Sequence, residues 1–87
     1  MTQQEAVLTA LAKATADRVS FEDVVVIAYR AYPELFCMRG HPQYPCSKKV
    51  GGLLFGHNNL LERKLLRKID NRYILTEAGY NAAGLVR

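Results

Sequence analysis

The sequence predicts a mainly helical domain that closes with a small β-hairpin and one last short helix. Three observations carry this reading. Apolar residues recur at helical spacing in three segments, Gln3–Ala16, Phe21–Tyr32 and Ser47–Leu61. The period then changes around Asp70-Asn71, a pair that tolerates the positive φ of a two-residue hairpin turn. Finally, Thr76 stands where a helix cap is needed before Glu77.

The first helix is predicted from Gln3 to Ala16, with Val7, Leu8, Leu11 and Ala14 on its buried face and strong helix formers between them. Ser20 then caps a second helix running from about Phe21 to Tyr32. Asp23 supplies the acid of a capping box, and Val19 and Val24 occupy the two positions of a hydrophobic staple. That helix is expected to bury Val24, Ile27, Ala28 and Ala31 and to stop at Pro33, since the residue before a proline is pushed out of the helical region.

From Glu34 to Pro45 the chain carries Gly40, Pro42 and Pro45 and reads as a structured loop anchored by Leu35 and Phe36. Ser47 is placed to cap a third helix. Val50, Leu53, Leu54, His57 and Leu61 fall on its buried face, and Lys48, Gly52, Phe55 and Asn59 on the opposite one, with Lys49, Gly56 and Arg63 alongside. Its glycines each weaken a helix by about 1 kcal/mol against alanine, which favours a break near Gly56.

In the hairpin, Leu66 is expected opposite Leu75 and Lys68 opposite Tyr73. Leu66, Tyr73 and Leu75 form the buried side, and Arg67 and Arg72 lie on the other surface. The final helix is expected from Glu77 to about Leu85, turning Ala78, Ala82 and Leu85 inward.

A chain of 87 residues makes one domain, 1–87, with a small core and little room for a deep substrate cleft. Its 49 % hydrophobic and 23 % charged content excludes disorder. It has no apolar run of membrane-spanning length and does not open with a signal peptide, so a reducing cytoplasmic setting is expected. Charge is unevenly placed. Residues 1–46 hold four basic and five acidic side chains, whereas residues 47–87 hold eight basic and three acidic, a net of +5. A one-sided basic half is the footprint of a protein that meets phosphates.

Cys37, His41, Cys46 and His57 are residues of zinc-ligand type, but their spacing matches no common zinc pattern. Two ordinary thiols are the expectation, with a Cys2His2 zinc site or a Cys37–Cys46 disulfide as alternatives. No Gly-rich phosphate loop, nucleophile elbow or Glu-x-x-His pair is present, so neither catalysis nor a cofactor is expected.

Three helices followed by a basic hairpin is an order that resembles the winged helix-turn-helix family. Val19-Ser20-Phe21 is similar to the short strand and cap before the family's second helix. Leu61-Glu62-Arg63-Lys64-Leu65-Leu66-Arg67-Lys68 resembles the passage into the wing. Arg72-Tyr73-Ile74-Leu75-Thr76-Glu77-Ala78-Gly79 resembles the Y-x-L-T-x-x-G passage out of it. The likeness spans roughly residues 3–80. The connection from Pro33 to Cys46 departs from it, being longer than the turn of about three or four residues usual between the two helices.

The resemblance implies a duplex-DNA binder, dimeric and regulatory, pairing through its first and last helices. The helix from Ser47 would enter the major groove, with Lys48 and Lys49 on phosphate or guanine and Gly52 allowing close approach. Asn59, Arg63 and Lys64 would lie nearer the backbone. Arg67, Lys68 and Arg72 on the wing would grip phosphates or enter the minor groove.

The alternative is a winged helix used as a protein-interaction module or subunit, through the 34–46 loop and Phe55. An exposed patch of Phe55 with Tyr44 would favour a protein partner. A loop covering Phe55 and leaving Lys48, Lys49 and Arg63 bare would favour DNA. Packing under the loop is the expected place for Phe55.

Overall fold

The computed structural model describes residues 2–14, 18–55 and 59–84. The elements run α1 (Gln3–Ala14), α2 (Phe21–Ala31), α3 (Pro33–Phe36), β1 (Cys37–Met38), β2 (His41–Pro45), α4 (Ser47–Phe55), β3 (Leu66–Ile69), β4 (Arg72–Leu75) and α5 (Glu77–Ala82). The fold is therefore mixed: helices together with two separate antiparallel hairpins, β1–β2 and β3–β4.

The first helix is central. Every residue from Ala6 to Ala12 is buried, because α2, α4, α5 and β4 all pack around it. A one-sided stripe was expected, and the short Ala and Thr side chains between Val7, Leu8 and Leu11 explain the difference: neighbours approach from all sides. Ala14, expected inside, is exposed, as is Lys13 beside it, so the buried stretch stops at Ala12.

Ser20 and Asp23 form the capping box of α2. The Asp23 N–H donates to Ser20 Oγ at 3.2 Å, and the Ser20 N–H donates to the Asp23 carboxylate at 3.4 Å. Such caps are worth about 1 kcal/mol. Val24, Val25 and Ala28 are buried, Ile27 packs partly against the core, and Ala31 is exposed, contrary to expectation.

Pro33 does more than end α2. It occupies the first turn of α3, where its missing N–H has no helical partner to lose. That one turn drives Phe36 into the core with no exposed surface. The expected loop from Glu34 to Pro45 is instead this turn followed by the β1–β2 hairpin, reversed at Gly40 with φ +80°. The hairpin is tied down at two points: the Tyr29 hydroxyl donates to the Pro42 carbonyl at 2.8 Å, and the Cys46 N–H donates to the Phe36 carbonyl at 2.7 Å.

Ser47 is the first residue of α4 rather than its cap, and the Val50 N–H reaches back to the Cys46 carbonyl. Val50 and Leu54 are buried. The described helix runs to Phe55. Gly56 and His57, with the break and the buried position expected there, lie outside the described residues, as does Leu85. Beyond, Leu60 has no exposed surface, whereas Leu61 is only half-buried.

The β3–β4 hairpin has the expected register, Leu66 opposite Leu75 and Lys68 opposite Tyr73. Asp70 and Asn71 take φ of 50° and 62°, the twin positive values of a type I′ turn, whose twist matches that of the strands. Leu66, Tyr73 and Leu75 are buried. Thr76 caps α5 by accepting the Gly79 N–H at 3.0 Å, and its hydroxyl also donates to the Lys64 carbonyl at 2.7 Å. Ala78 and Ala82 face solvent. It is Gly79 that is buried, with Tyr80 and Ala83 packed partly against the core.

Candidate nucleic-acid interface

Two surfaces carry exposed cations expected at a DNA interface, and they meet at one aromatic ring. The first is the outward face of α4. With Val50 and Leu54 turned to the core, Lys48, Gly52 and Phe55 follow one another at i, i+4 and i+7 on the opposite side, and all three are exposed. A Cβ added at Gly52 would meet no atom within 4 Å, so the backbone there is open to a large partner. Lys49 is half-buried at the edge of this face.

The second surface is the β3–β4 hairpin. Its inner side is pinned by Leu66, Tyr73 and Leu75, so alternation forces Arg67 and Arg72 outward together with Ile74 and Ile69, their cross-strand partners. Lys68 shares the Tyr73 side but is exposed. Behind the hairpin, Leu61, Lys64, Leu66, Arg67, Lys68 and Thr76 line an open groove of about 530 Å³.

Phe55 joins the two surfaces. Its ring centroid lies 5.7 Å from that of Phe21 and 6.2 Å from that of Tyr73, the latter edge-on at 60°. It nonetheless remains 53 % exposed. It therefore does not pack under the 34–46 segment as expected; it packs on the start of α2 and on β4. Tyr44, 54 % exposed, has its ring contact with His41 at 6.3 Å. The two exposed aromatics thus have separate sets of ring partners.

Of the residues expected at a DNA interface, Lys48, Gly52, Lys64, Arg67, Lys68 and Arg72 are exposed. Lys64 holds a φ of +59°, which closes the turn between Asn59 and the hairpin. Two do not fit. Asn59 is only 6 % exposed, and its Oδ1 accepts the Glu62 N–H at 2.8 Å while its carbonyl accepts the Arg63 N–H at 2.9 Å, so it is a buried turn cap. Arg63 is exposed, but its guanidinium bonds the Gln4 side chain at the start of α1, away from the outward face of α4.

Sequence reasoning missed Phe21, the ring that supports Phe55. An apolar residue directly after an N-cap was its only local signal.

Tyr73 is 3 % exposed, and its phenol is held above the ordinary tyrosine value of 10.0. Burial is the main cause, and the negative charge of Glu22 adds to it. Cys37 and Cys46 are free thiols, each half-buried; Cys37 Sγ donates to the Glu34 carbonyl at 3.9 Å. Among the described residues no three His, Cys, Asp or Glu side chains are grouped to hold a metal ion. His57 of the Cys37, His41, Cys46, His57 set lies outside them. No helix among the described residues is long and apolar enough to cross a membrane.

Compared with known proteins, the chain matches no family model, no curated protein and no solved structure.

Proposed function

We propose that this chain is a winged-helix domain that binds duplex DNA in a regulatory role, with α4 in the major groove and the β3–β4 hairpin as the wing on phosphates. The observation that carries the reading is the hairpin. Leu66, Tyr73 and Leu75 fix its inner side in the core, and Arg67, Lys68 and Arg72 all stand in solvent on a rigid two-strand support. The anchored strands set the side of the hairpin from which these side chains leave the backbone, and contacts of this kind position a protein on the phosphate backbone. Lys48 and the open Gly52 on α4 supply a second basic and sterically clear surface next to it. Half-sites read by two copies remain part of the proposal. The middle of α1 is unsuited to pairing them, because Ala6–Ala12 are already covered within one chain.

The test is fluorescence anisotropy of a mixed-sequence duplex of about 30 base pairs, titrated at roughly 50 and 200 mM salt. Binding that falls steeply with salt supports the reading. No binding at about 100 μM protein in low salt overturns it.

A protein-interaction role is the second reading, and the exposure of Phe55 favours it. The ring belongs to an apolar ridge with Phe21, which continues into a cleft of about 320 Å³ formed by Phe21, Glu22, Val25, Val26 and Ser47. The bare Lys48 and the uncovered Phe55 divide the two readings evenly at α4, and the wing cations tip the balance to DNA.

A further inference from the structure

We infer that Phe55 is the specificity-determining residue of α4 and that it reads the C5-methyl group of thymine in the major groove. The inference rests on the duplex-DNA reading above and goes further, to which base edge is preferred.

The outward face of α4 offers three groups in line: a cation at Lys48, bare backbone at Gly52 and an apolar ring at Phe55. An ammonium can bind any phosphate or guanine, and open backbone imposes no preference. The ring has no donor or acceptor, so it cannot read a base edge by hydrogen bonding. The one apolar feature that base edges present in the major groove is the thymine methyl, and Phe is among the side chains suited to meet it.

The ring is also built to serve as a fixed contact. Phe21 supports it from the start of α2 at 5.7 Å, and Tyr73 supports it edge-on from β4 at 6.2 Å. Tyr73 is itself pinned, 3 % exposed and bonded through its backbone to Val19 in both directions. Phe55 is thus 53 % exposed while touching two anchored rings, so little side-chain entropy remains to be lost on contact. Gly52 lies one turn away on the same face with nothing within 4 Å of its would-be Cβ, which lets the helix approach closely enough for the ring to reach a base edge.

The surrounding charge fits a groove floor between two phosphate strands. Lys48 lies at one end of the stripe. Lys68, cross-strand partner of Tyr73, lies beyond the other.

The experiment compares an alternating A·T duplex with the same duplex carrying uracil for thymine, which removes only the methyl groups. Wild-type chain should bind the thymine duplex more tightly by about fourfold for each methyl buried. Phe55→Ala should bind both duplexes alike, and Phe55→Leu, still apolar, should keep part of the difference. An alternating G·C duplex should gain affinity when its cytosines carry a 5-methyl group. Circular dichroism melting of the variants establishes that they are folded. Equal binding of the two A·T duplexes by wild type overturns the inference while leaving duplex binding intact. Binding to neither duplex overturns the inference together with the reading it rests on. Tighter binding to single strands, lost in Phe55→Ala, assigns the ring to base stacking and overturns it as well.

Discussion

Val19 and Tyr73 form an antiparallel bridge in which each N–H donates to the other's carbonyl, at 3.1 Å from Val19 and 2.7 Å from Tyr73. This single pair joins the segment that leads into α2 to the second strand of the β3–β4 hairpin. Tyr73 also lies opposite Lys68 and puts the edge of its ring against Phe55. The two surfaces of the proposed interface, the outward face of α4 and the basic hairpin, therefore meet at one buried residue that is also tied to the segment before α2.

The phenol of Tyr73 gives this junction a pH signature. Burial, helped by the charge of Glu22, raises its pKa above 10.0 in the folded chain. The folded state then holds the proton more tightly than the unfolded state does. The associated stability is fully present below the ordinary tyrosine value and is lost as pH rises through the folded value. Urea midpoints between about pH 8 and 11 should fall on the alkaline side, and Tyr73→Phe should flatten that fall. Tyrosinate absorbance should show one of the five tyrosines ionising after the rest. An alkaline limb that is the same in Tyr73→Phe would remove this assignment.

Two glycines should respond to alanine in opposite directions. At Gly79 a Cβ would lie 2.2 Å from the Leu65 carbonyl oxygen and 2.9 Å from Leu75 Cδ2, and a backbone oxygen cannot swing aside. Gly79→Ala must push α5 off the hairpin, with a loss of about 3 kcal/mol and a drop in melting temperature of at least about 10 °C. At Gly52 the space is empty, so Gly52→Ala should stabilise α4 by about 0.5–1 kcal/mol. Thermal melts of the two variants decide both.

How legible these features were depends on whether their cause is local. The Ser20 capping box and the Asp70-Asn71 turn were readable because each is made by residues within a few positions of one another. The outward placing of Lys48, Gly52 and Phe55 follows from helical period alone. The β1–β2 hairpin was hidden because four of the five residues of β2 are exposed, leaving no alternation to read, and its prolines argue for a loop. Alanine gives no direction, and Ala14, Ala31, Ala78 and Ala82 all face outward where an inward position was expected. Asn59 and Arg63 were misplaced on the α4 face for the same kind of reason. A polar side chain that caps a turn or reaches a partner 59 residues away looks, in sequence, like any surface residue.

Thr76 should be sensitive to the loss of its hydroxyl and insensitive to the loss of its methyl. The hydroxyl accepts the Gly79 N–H and donates to the Lys64 carbonyl, so it caps α5 and ties it to the turn before β3 at once. Thr76→Val removes both bonds and should cost about 2 kcal/mol in urea unfolding, whereas Thr76→Ser should remain within about 0.5 kcal/mol of wild type. A larger loss in Thr76→Ser than in Thr76→Val would assign the residue's contribution to packing.

The hairpin cations make the sharpest prediction for the proposed function. Arg67 and Arg72 are exposed, project on the same side of the hairpin and pair across the strands with Ile74 and Ile69. Their guanidinium groups are not part of the core, so Arg67→Ala combined with Arg72→Ala should melt within a few degrees of wild type. If each neutralises one phosphate, their removal should weaken binding to every duplex sequence alike. The slope of log affinity against log salt should become shallower by about 2. Uniform weakening with a shallower slope is the behaviour of a wing on the phosphate backbone. Unchanged affinity and slope in the folded double variant would remove the hairpin from the interface and leave α4 as its only basic surface.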